Sequence, residues 1–209
     1  SGLLVEPSTD EEERKEYSSI IRNNTDLMLN LVNDVLDLSR METGDLHFDI
    51  KDHLLLVCCQ MALESVRHRI PDGVKLTFSP AGEPIVVHVD NLRLQQLLTN
   101  LLTNAAKFTE KGEINLSFQL EPDRKKVCIA VTDTGTGIPL EKQATIFNRF
   151  EKLDDYKPGV GLGLSICLLI AERLDGALFI DSSYTDGARF VLILSCEIDS
   201  SIYNPPIEV

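Results

Sequence analysis

The hydrophobic positions of this chain predict four helices, and the helical period is clearest in the first. In residues 10–42 apolar side chains return every three, four or seven positions, at Ile20, Leu27, Leu31, Val35, Leu38 and Met41. This pattern predicts one long amphipathic helix, which needs a partner for its apolar stripe, either in a helical bundle or in the rest of the chain. Helices are also predicted over residues 54–69, where apolar residues occupy most faces, over residues 91–108, and over residues 160–174, which a glycine-rich segment opens.

Shorter apolar segments predict β-strands, because apolar residues in them alternate with polar ones or form brief continuous runs. They are residues 46–50, 74–79, 85–89, 113–120, 125–131, 177–181 and 188–194. The strands at 113–120 and 125–131 are joined through residues 121–123, which predicts an antiparallel hairpin. The polar segment between Gly137 and Gly159 predicts a lid. Together these segments predict a two-layer α/β sandwich, one mixed sheet with helices on one face, preceded by the long helix.

Three polar side chains share one face of the helix predicted over residues 91–108. Asn100, Asn104 and Lys107 are four and three residues apart, and Leu97, Leu98, Leu101 and Leu102 occupy the other side. Amide oxygens suit Mg²⁺, which prefers oxygen ligands and is usually completed by water and substrate phosphates. A lysine one turn further along supplies positive charge for those phosphates.

Two glycine-containing segments follow in the order that a nucleotide site needs. Asp133 comes at the end of an apolar strand, where its carboxylate can accept hydrogen bonds from an exocyclic amine. Gly135 and Gly137 allow a tight turn and a close approach of the backbone to a flat ring. Residues 159–163, with glycine at every second position, open the last helix and expose backbone N–H groups to anions. These features jointly predict a nucleotide-binding site.

In their order and spacing these segments resemble the N, G1 and G2 boxes of sensor histidine kinases, within the wider family of Bergerat-fold ATPases. The N box is Asn100–Thr109, the G1 box is Asp133–Pro139 and the G2 box is Gly159–Leu164. Residues 146–150, Ile-Phe-Asn-Arg-Phe, resemble the F box of the same kinases. The resemblance spans roughly residues 46–195 and implies a catalytic, ATP-binding domain.

The resemblance implies a role for each matching polar residue at the phosphate end. Asn104 is expected to ligate the Mg²⁺ that bridges the ATP phosphates. Asn100 and Lys107 are expected to contact the phosphates or the waters of the metal. Lys152, just after the F box, stands where related kinases often carry a basic residue that faces the γ-phosphate. Asn100, Lys107 and Lys152 are therefore the expected catalytic residues.

The resemblance also implies which residues surround the adenine and form the lid. Asp133 is expected to bind the adenine amino group, and Gly135, Gly137 and Ile138 are expected to form the wall beside the ring. The expected lid residues at the phosphates are Gly159, Gly161, Leu162 and Gly163. Two departures predict weaker ATP binding: residues 185–188 lack the first glycine and the hydroxyl of the usual Gly-x-Gly-Ser/Thr element, and Asp175-Gly176 replaces a double glycine.

The expected domains are a partial dimerisation and histidine-phosphotransfer segment at 1–44, a catalytic ATP-binding domain at 45–197, and a tail or linker at 198–209. Residues 35–42 resemble the end of the second helix of the dimerisation hairpin, whose first helix carries the phosphoacceptor histidine in these kinases. Because no histidine precedes His47, the acceptor helix is expected to be missing from this chain. Expected partners are that upstream helix, a second copy bound through residues 10–42, and a response regulator or receiver domain.

Composition narrows the classes of function. The formal net charge of −13 argues against a nucleic-acid surface, which needs clustered Lys and Arg. No apolar run is long enough to span a membrane, so this segment is expected to lie in the cytoplasm without membrane contact, as the cytoplasmic part of a membrane-anchored two-component sensor. The five cysteines and four histidines have no metal-ligand spacing, and the cysteines fit buried thiols.

The function predicted on this basis is transfer of the ATP γ-phosphoryl group to a histidine on a dimerisation helix. One alternative is an ATPase of the same superfamily that performs conformational work. Those relatives usually carry a glutamate as general base where this chain has Asn100, and an amide cannot accept a proton as a carboxylate does. A second alternative is a non-catalytic nucleotide-binding scaffold that acts through dimer contacts, which the intact Asn104 and Asp133 disfavour.

Overall fold

The computed structural model describes residues 11–121, 125–154 and 160–199, apart from some side chains of the first helix. It divides the chain into two compact units, Ser1–Leu46 and His47–Val209. The predicted turn at Pro122-Asp123, the end of the predicted lid including Gly159, and the tail from Ser200 onward lie outside the described residues.

In its described residues the first unit contains one helix, α1, which runs over Glu11–Thr43 and confirms the helix predicted from the period of residues 10–42. It ends where Gly44 takes a φ of +78°, a left-handed conformation that glycine adopts without strain. Several apolar side chains on α1 are exposed, among them Met28 at 70% and Val32 at 54%. The side chain of Leu27, a member of the predicted stripe, lies outside the described residues.

The second unit contains seven strands and four α-helices in the described residues. In chain order these are β1 (Lys51–Leu54), α2 (Leu55–Val66), β2 (Val74–Ser79), β3 (Ile85–Val89), α3 (Asn91–Phe108), β4 (Gly112–Leu120), β5 (Lys126–Asp133), α4 (Leu140–Gln143), α5 (Gly163–Arg173), β6 (Ala177–Ile180) and β7 (Ala188–Ile198). A 3₁₀ turn, Arg67–Arg69, follows α2.

The strands form one mixed sheet in the order β1-β3-β7-β5-β4-β2, and β6 pairs with β7. The β2–β4 pair is parallel, and the other described pairs, including the predicted β4–β5 hairpin, are antiparallel. Alternate residues of β4 are buried, namely Ile114, Leu116 and Phe118. They lie on the sheet face that the helices cover, so the predicted two-layer α/β sandwich is confirmed.

Several predicted boundaries were wrong, including the end of β7, which lies at Ile198 and not at residue 194. The strand predicted at 46–50 lies instead at Lys51–Leu54, because the backbone N–H of Asp49 donates to the Asp90 side chain, at 3.0 Å, rather than to a neighbouring strand. The helix predicted from residue 160 begins at Gly163, because Gly161 has a φ of +80°, which a right-handed helix does not contain.

The five cysteines form no disulfide within the described chain. Cys58, Cys59 and Cys167 are buried as predicted, while Cys128 and Cys196 are half-buried. Burial raises the pKa of Cys58 to about 11. Among the described residues, no helix is both long enough and apolar enough to cross a membrane.

Candidate functional site

Helix α3 presents the predicted polar face because its other side is locked into the core. Leu97, Leu98 and Leu101 are at most 1% exposed, so the rotation of the helix is fixed by apolar burial. Asn100 and Asn104 are half-buried on the opposite side, together with Lys107 in the last turn. The two carboxamides make no hydrogen bond with a described residue, so they are available to a ligand.

The start of α3 is fixed by the buried carboxylate of Asp90. Its Oδ1 accepts a hydrogen bond from the backbone N–H of Arg93, at 3.1 Å, as a helix N-cap does. Its Oδ2 accepts from the N–H of Asp49, at 3.0 Å. One side chain therefore positions α3 and the chain that enters β1.

The beginning of α5 lies against the polar face of α3. A Cβ placed on Gly163 would stand 3.6 Å from Nδ2 and 3.7 Å from Oδ1 of Asn100. Further along, the Cys167 thiol lies 3.7 Å from the backbone oxygen of Leu97. The glycine segment at the start of α5 and the predicted phosphate end of α3 are thus brought together, although they are separated by about sixty residues in the sequence.

Asp133 ends β5 as a buried carboxylate, 4% exposed. Its Oδ1 accepts hydrogen bonds from the backbone N–H groups of Gly135, at 2.9 Å, and Ala188, at 3.3 Å. Its Oδ2 accepts none from a described residue. Burial raises the pKa of Asp133 above its ordinary value, and the two N–H donors oppose that rise without cancelling it.

The turn after Asp133 is closely packed against the end of α3. The N–H of Thr136 donates to the backbone oxygen of Phe108, at 3.3 Å. A Cβ on Gly135 would collide with that same oxygen, so only glycine fits there. Gly137 has a φ of +70°, and a Cβ on it would come within 3.0 Å of the oxygen of Gly187. This turn therefore joins α3 to the loop before β7.

Residues 187 and 188 support Asp133, a role that the sequence analysis did not predict. A Cβ on Gly187 would collide with the backbone oxygen of Asp133, and the Ala188 N–H binds its carboxylate. In the sequence this segment is recognisable only as a departure that removes a hydroxyl. The backbone of Ala188 keeps a hydrogen bond to Asp133 that does not depend on the side chain.

Ile138 is half-buried and is held through its backbone. Its oxygen accepts a hydrogen bond from Nε2 of Gln143 in α4, at 2.9 Å. Oε1 of Gln143 in turn accepts from the Ser182 hydroxyl, at 2.6 Å. The segment after the G1 turn is therefore fastened to the loop between β6 and β7.

The F-box region and the glycine segment meet at one backbone hydrogen bond. The N–H of Phe150 donates to the oxygen of Gly161, at 2.9 Å. Phe150 itself has a φ of +62°, and a Cβ on Gly161 would collide with the Phe150–Glu151 backbone. Leu162, which follows, is 1% exposed. The backbone is therefore closed at this point, with Phe150 held against Gly161.

Side chains reinforce this closure. Nζ of Lys142 lies 2.9 Å from Oε1 of Glu151, and the rings of Phe147 and Phe190 meet edge to face at 6.2 Å. Lys152 is half-buried and directly follows Glu151. The position of Gly159 lies outside the described residues.

The predicted site residues thus form two clusters along α3, one at its middle and one at its C-terminal end. One joins Asn100 to Gly163, and the other joins Asp133 to the Phe108 end of the helix. The half-buried carboxamides of α3 provide neutral oxygens of the type that Mg²⁺ accepts. The remaining oxygen of Asp133 is an acceptor without a described donor that keeps some accessible surface, which suits an amine of a flat ligand.

The chain matches two known protein families. Residues 89–198 match the family described as "Histidine kinase-, DNA gyrase B-, and HSP90-like ATPase". Residues 1–44 match the family described as "His Kinase A (phospho-acceptor) domain". The first match contains α3, β5 and α5, which carry the residues assembled above.

Curated relatives are much longer than this chain. Hybrid signal transduction histidine kinase A of Dictyostelium discoideum is 31% identical over 209 residues, which are 93% of this chain and 10% of the relative. Two-component system protein A of Emericella nidulans is 36% identical over 179 residues, 80% of this chain and 26% of the relative. The chain therefore spans about a tenth to a quarter of these two relatives.

Solved structures show the same fold. Full-length ShkA in complex with AMPPNP is 27% identical, with a TM-score of 0.78 over 94% of this chain and 42% of that one. The mycobacterial sensor histidine kinase MprB is 26% identical, with a TM-score of 0.63 over 72% of this chain and 99% of that one. The chain therefore belongs to the family of histidine kinase-, DNA gyrase B- and HSP90-like ATPases, as the resemblance of its four boxes implied.

Proposed function

We propose that this chain binds Mg-ATP and forms the catalytic core of a sensor histidine kinase. The proposal rests on the positions of three side chains. The buried carboxylate of Asp133, with one oxygen that accepts no described hydrogen bond, lies at one end of α3. The carboxamides of Asn100 and Asn104, which make no described hydrogen bond, lie further back on the same helix. An adenine amine and a polyphosphate are the two ends of one nucleotide. The family match and the histidine kinase relatives support the same assignment.

Asp133 holds the adenine end. Its Oδ1 is occupied by two backbone N–H groups, so Oδ2 is the oxygen that accepts the exocyclic amine. Gly135 and Gly137 keep side chains away from the ring, and Ile138 provides an apolar contact. Because hydrogen bonds to a buried charged group are among the stronger ones, this contact selects adenine over guanine, which has an oxygen at that position.

The polar face of α3 holds the phosphate end. Asn104 is the proposed Mg²⁺ ligand, and Asn100 and Lys107 contact the phosphates beside the start of α5. When bound, the metal neutralises charge on the transferring phosphoryl group. The backbone N–H groups of residues 161–163 face the phosphates from the lid side, and Lys152 approaches the γ-phosphate.

Phosphoryl transfer needs positioning and charge neutralisation more than covalent help from the protein. A neutral imidazole nitrogen of the acceptor histidine attacks the γ-phosphorus, the bond from that phosphorus to the bridging oxygen breaks, and ADP leaves. Asn100 has no basic group with which to activate water, so the geometry favours transfer over hydrolysis. This distinguishes the proposal from an ATPase that performs conformational work.

The proposed partners follow from α1 and the relatives. The exposed apolar side chains of α1, including Met28 and Val32, support a homodimer through residues 10–42. The acceptor is a histidine on the upstream dimerisation helix, and the phosphoryl group then passes to a response regulator or receiver domain. The proposed location is the cytoplasmic part of a membrane-anchored sensor.

Phosphate labelling tests the proposed transfer. The histidines of this chain, at 47, 53, 68 and 88, all lie outside the segment that matches the phospho-acceptor domain. With γ-labelled ATP and Mg²⁺, the chain alone is expected to acquire no acid-labile, base-stable phosphate. A longer form that contains the acceptor helix but carries Asn104→Ala is expected to become labelled when this chain is added.

Light scattering first shows that the mixture contains heterodimers. Absence of labelling then means that no phosphoryl group was transferred, and not that the two chains failed to associate. An acceptor-helix His→Gln variant of the longer form is the matched control and should remain unlabelled. Labelling of a histidine within this chain, or no labelling of the longer form in confirmed heterodimers, would contradict the proposal.

A further inference from the structure

The face of the sheet that the helices do not cover contains a cavity of about 330 Å³. The register of the strands determines which residues form the floor of this cavity. Ser79 of β2 pairs with Ser117 of β4, and Ser117 pairs with Ala130 of β5, so three small residues form one row across three strands. Gln119 and Cys128 form the next row. Small side chains in the central row leave the depression.

Several polar groups that line this cavity have no protein partner. Ser117 and Gln119 make no hydrogen bond with a described residue, whereas the Ser79 hydroxyl accepts from Nδ2 of Asn115, at 3.0 Å. No carboxylate is among the described residues that line the cavity. The wall is therefore rich in hydrogen-bond donors and carries no negative charge of its own.

Arg189 of β7 supplies the positive charge of the cavity. Its Nε is buried and donates no hydrogen bond within the part of the chain that is described. Arg189 forms an ion pair with Asp181, whose Oδ2 is 3.8 Å from Nε, a separation too long for a hydrogen bond. Oδ1 of Asp181 is occupied by the backbone N–H and hydroxyl of Ser183, at 3.0 and 2.6 Å. Because Nε is closed off from solvent, a ligand in the cavity would be bound by the two terminal nitrogens of Arg189, which make no hydrogen bond with a described residue.

We propose that this cavity is a second ligand site, which binds a small organic carboxylate through Arg189. The planar guanidinium matches a carboxylate with two parallel hydrogen bonds, and Ser117 and Gln119 lie within the same cavity to contact the rest of the ligand. Ala130 and Pro80 offer an apolar surface for a short carbon chain. The volume is at the lower end of small-molecule sites, so a short-chain carboxylate fits inside it.

The cavity is separate from the nucleotide site and lies behind it. Successive residues of a strand face opposite sides of the sheet, and Ala188, the neighbour of Arg189, donates to Asp133 on the helix-covered side. The carboxylate ligand and ATP would therefore bind on opposite faces of β7. They do not compete for space, and each site can be tested without the other.

Protection of Cys128 provides the test, because its thiol lines the cavity. In a Cys196→Ser background Cys128 is the remaining cysteine that is not buried. Its alkylation by iodoacetamide is measured while sodium butanoate is titrated at constant ionic strength. Butanoate is expected to slow alkylation by the factor 1 + [L]/Kd. Arg189→Gln should raise the Kd about ten- to a hundred-fold, since it removes a charged hydrogen-bonding partner.

Lys75→Gln is the matched control, because Lys75 is an exposed cation of β2 on the same sheet face, and it should leave protection unchanged. A resolved shift of the Arg189 Nε–H signal in ¹⁵N NMR of the otherwise unaltered chain provides a reading that does not depend on the folding of a variant. If butanoate still protects Cys128 from alkylation when AMPPNP and Mg²⁺ are present, the butanoate site is distinct from the nucleotide site. No protection and no Arg189 shift, equal protection by inorganic phosphate, or loss of protection on adding nucleotide would overturn the proposal.

Discussion

Replacing Asn104 with alanine is expected to abolish Mg²⁺-dependent ATP binding while leaving the fold intact. The Asn104 carboxamide is half-buried and makes no hydrogen bond with a described residue, so its removal breaks no internal contact. Alanine also has the highest helix propensity, which favours α3. A ligand that binds only the folded state raises apparent stability by RT ln(1 + [L]/Kd), so Mg-ATP should raise the melting temperature of the wild type and leave that of the variant unchanged.

The matched control is Asn24→Ala, which removes an exposed amide from α1 whose Nδ2 contacts only the helix backbone, at Ile20. That variant should keep the full Mg-ATP shift. A shift in Asn104→Ala as large as in the wild type would remove Asn104 from the proposed metal site. Unfolding of Asn104→Ala without ligand would mean that the residue has a structural role that its contacts do not reveal.

Asp133→Asn is expected to weaken ATP binding about ten- to a hundred-fold, the equivalent of losing one hydrogen bond to a charged group. Asparagine has the same shape and retains an oxygen for the N–H groups of Gly135 and Ala188. In the variant an NH₂ group replaces Oδ2. This group is a donor, so it cannot accept the hydrogen bond that Oδ2 accepts from the adenine amine. Fluorescence competition with ATP and GTP measures the effect. If the wild type binds the two nucleotides equally, Asp133 does not contact the adenine amine.

The same variant should be more stable than the wild type at neutral pH when no nucleotide is present. Because the pKa of Asp133 is raised by burial, the folded state holds a proton at pH values where the unfolded chain has lost it. The stabilisation from this group is complete below the unfolded pKa and is lost as the pH rises through the folded pKa. The advantage of Asp133→Asn should therefore disappear on acidification.

Urea denaturation at several pH values measures this difference. Asp72→Asn, at an exposed carboxyl in the turn before β2, is the control and should change stability equally little at each pH. An advantage of Asp133→Asn that grows as the pH falls would contradict the assigned direction of the pKa shift.

The periodicity of the sequence predicted α3 and β2 to the residue, because each has a strong apolar pattern and clear ends. Asp90 and Thr109 bound α3, and Ser79 is followed by Pro80. The strand at β1 was misplaced for a physical reason that local patterns do not contain. The N–H of Asp49 bonds to a side chain forty-one residues away, and hydrophobic alternation alone cannot reveal a tertiary hydrogen bond.

In the candidate site, too, local features could be predicted from the sequence and long-range contacts could not. The three polar residues of α3 could be placed on one face because helical spacing is a local property. The contact of Asn100 with Gly163 and the Ala188 N–H on Asp133 depend on helix packing and on the register of β5 against β7. The cavity at Arg189 also arises from register, since Ser79, Ser117 and Ala130 are distant in sequence. Only the resemblance to a family supplied long-range information of this kind before the structure did.

The most direct measurement of the central claim is calorimetric titration of this chain with a non-hydrolysable ATP analogue, with and without Mg²⁺. A nucleotide site built from Asp133 at one end and Asn104 at the other predicts one saturable binding event per chain that Mg²⁺ strengthens. Binding of the same strength without the metal would contradict the role of Asn104 in holding Mg²⁺. The absence of any saturable heat with Mg²⁺ present would contradict the nucleotide site itself.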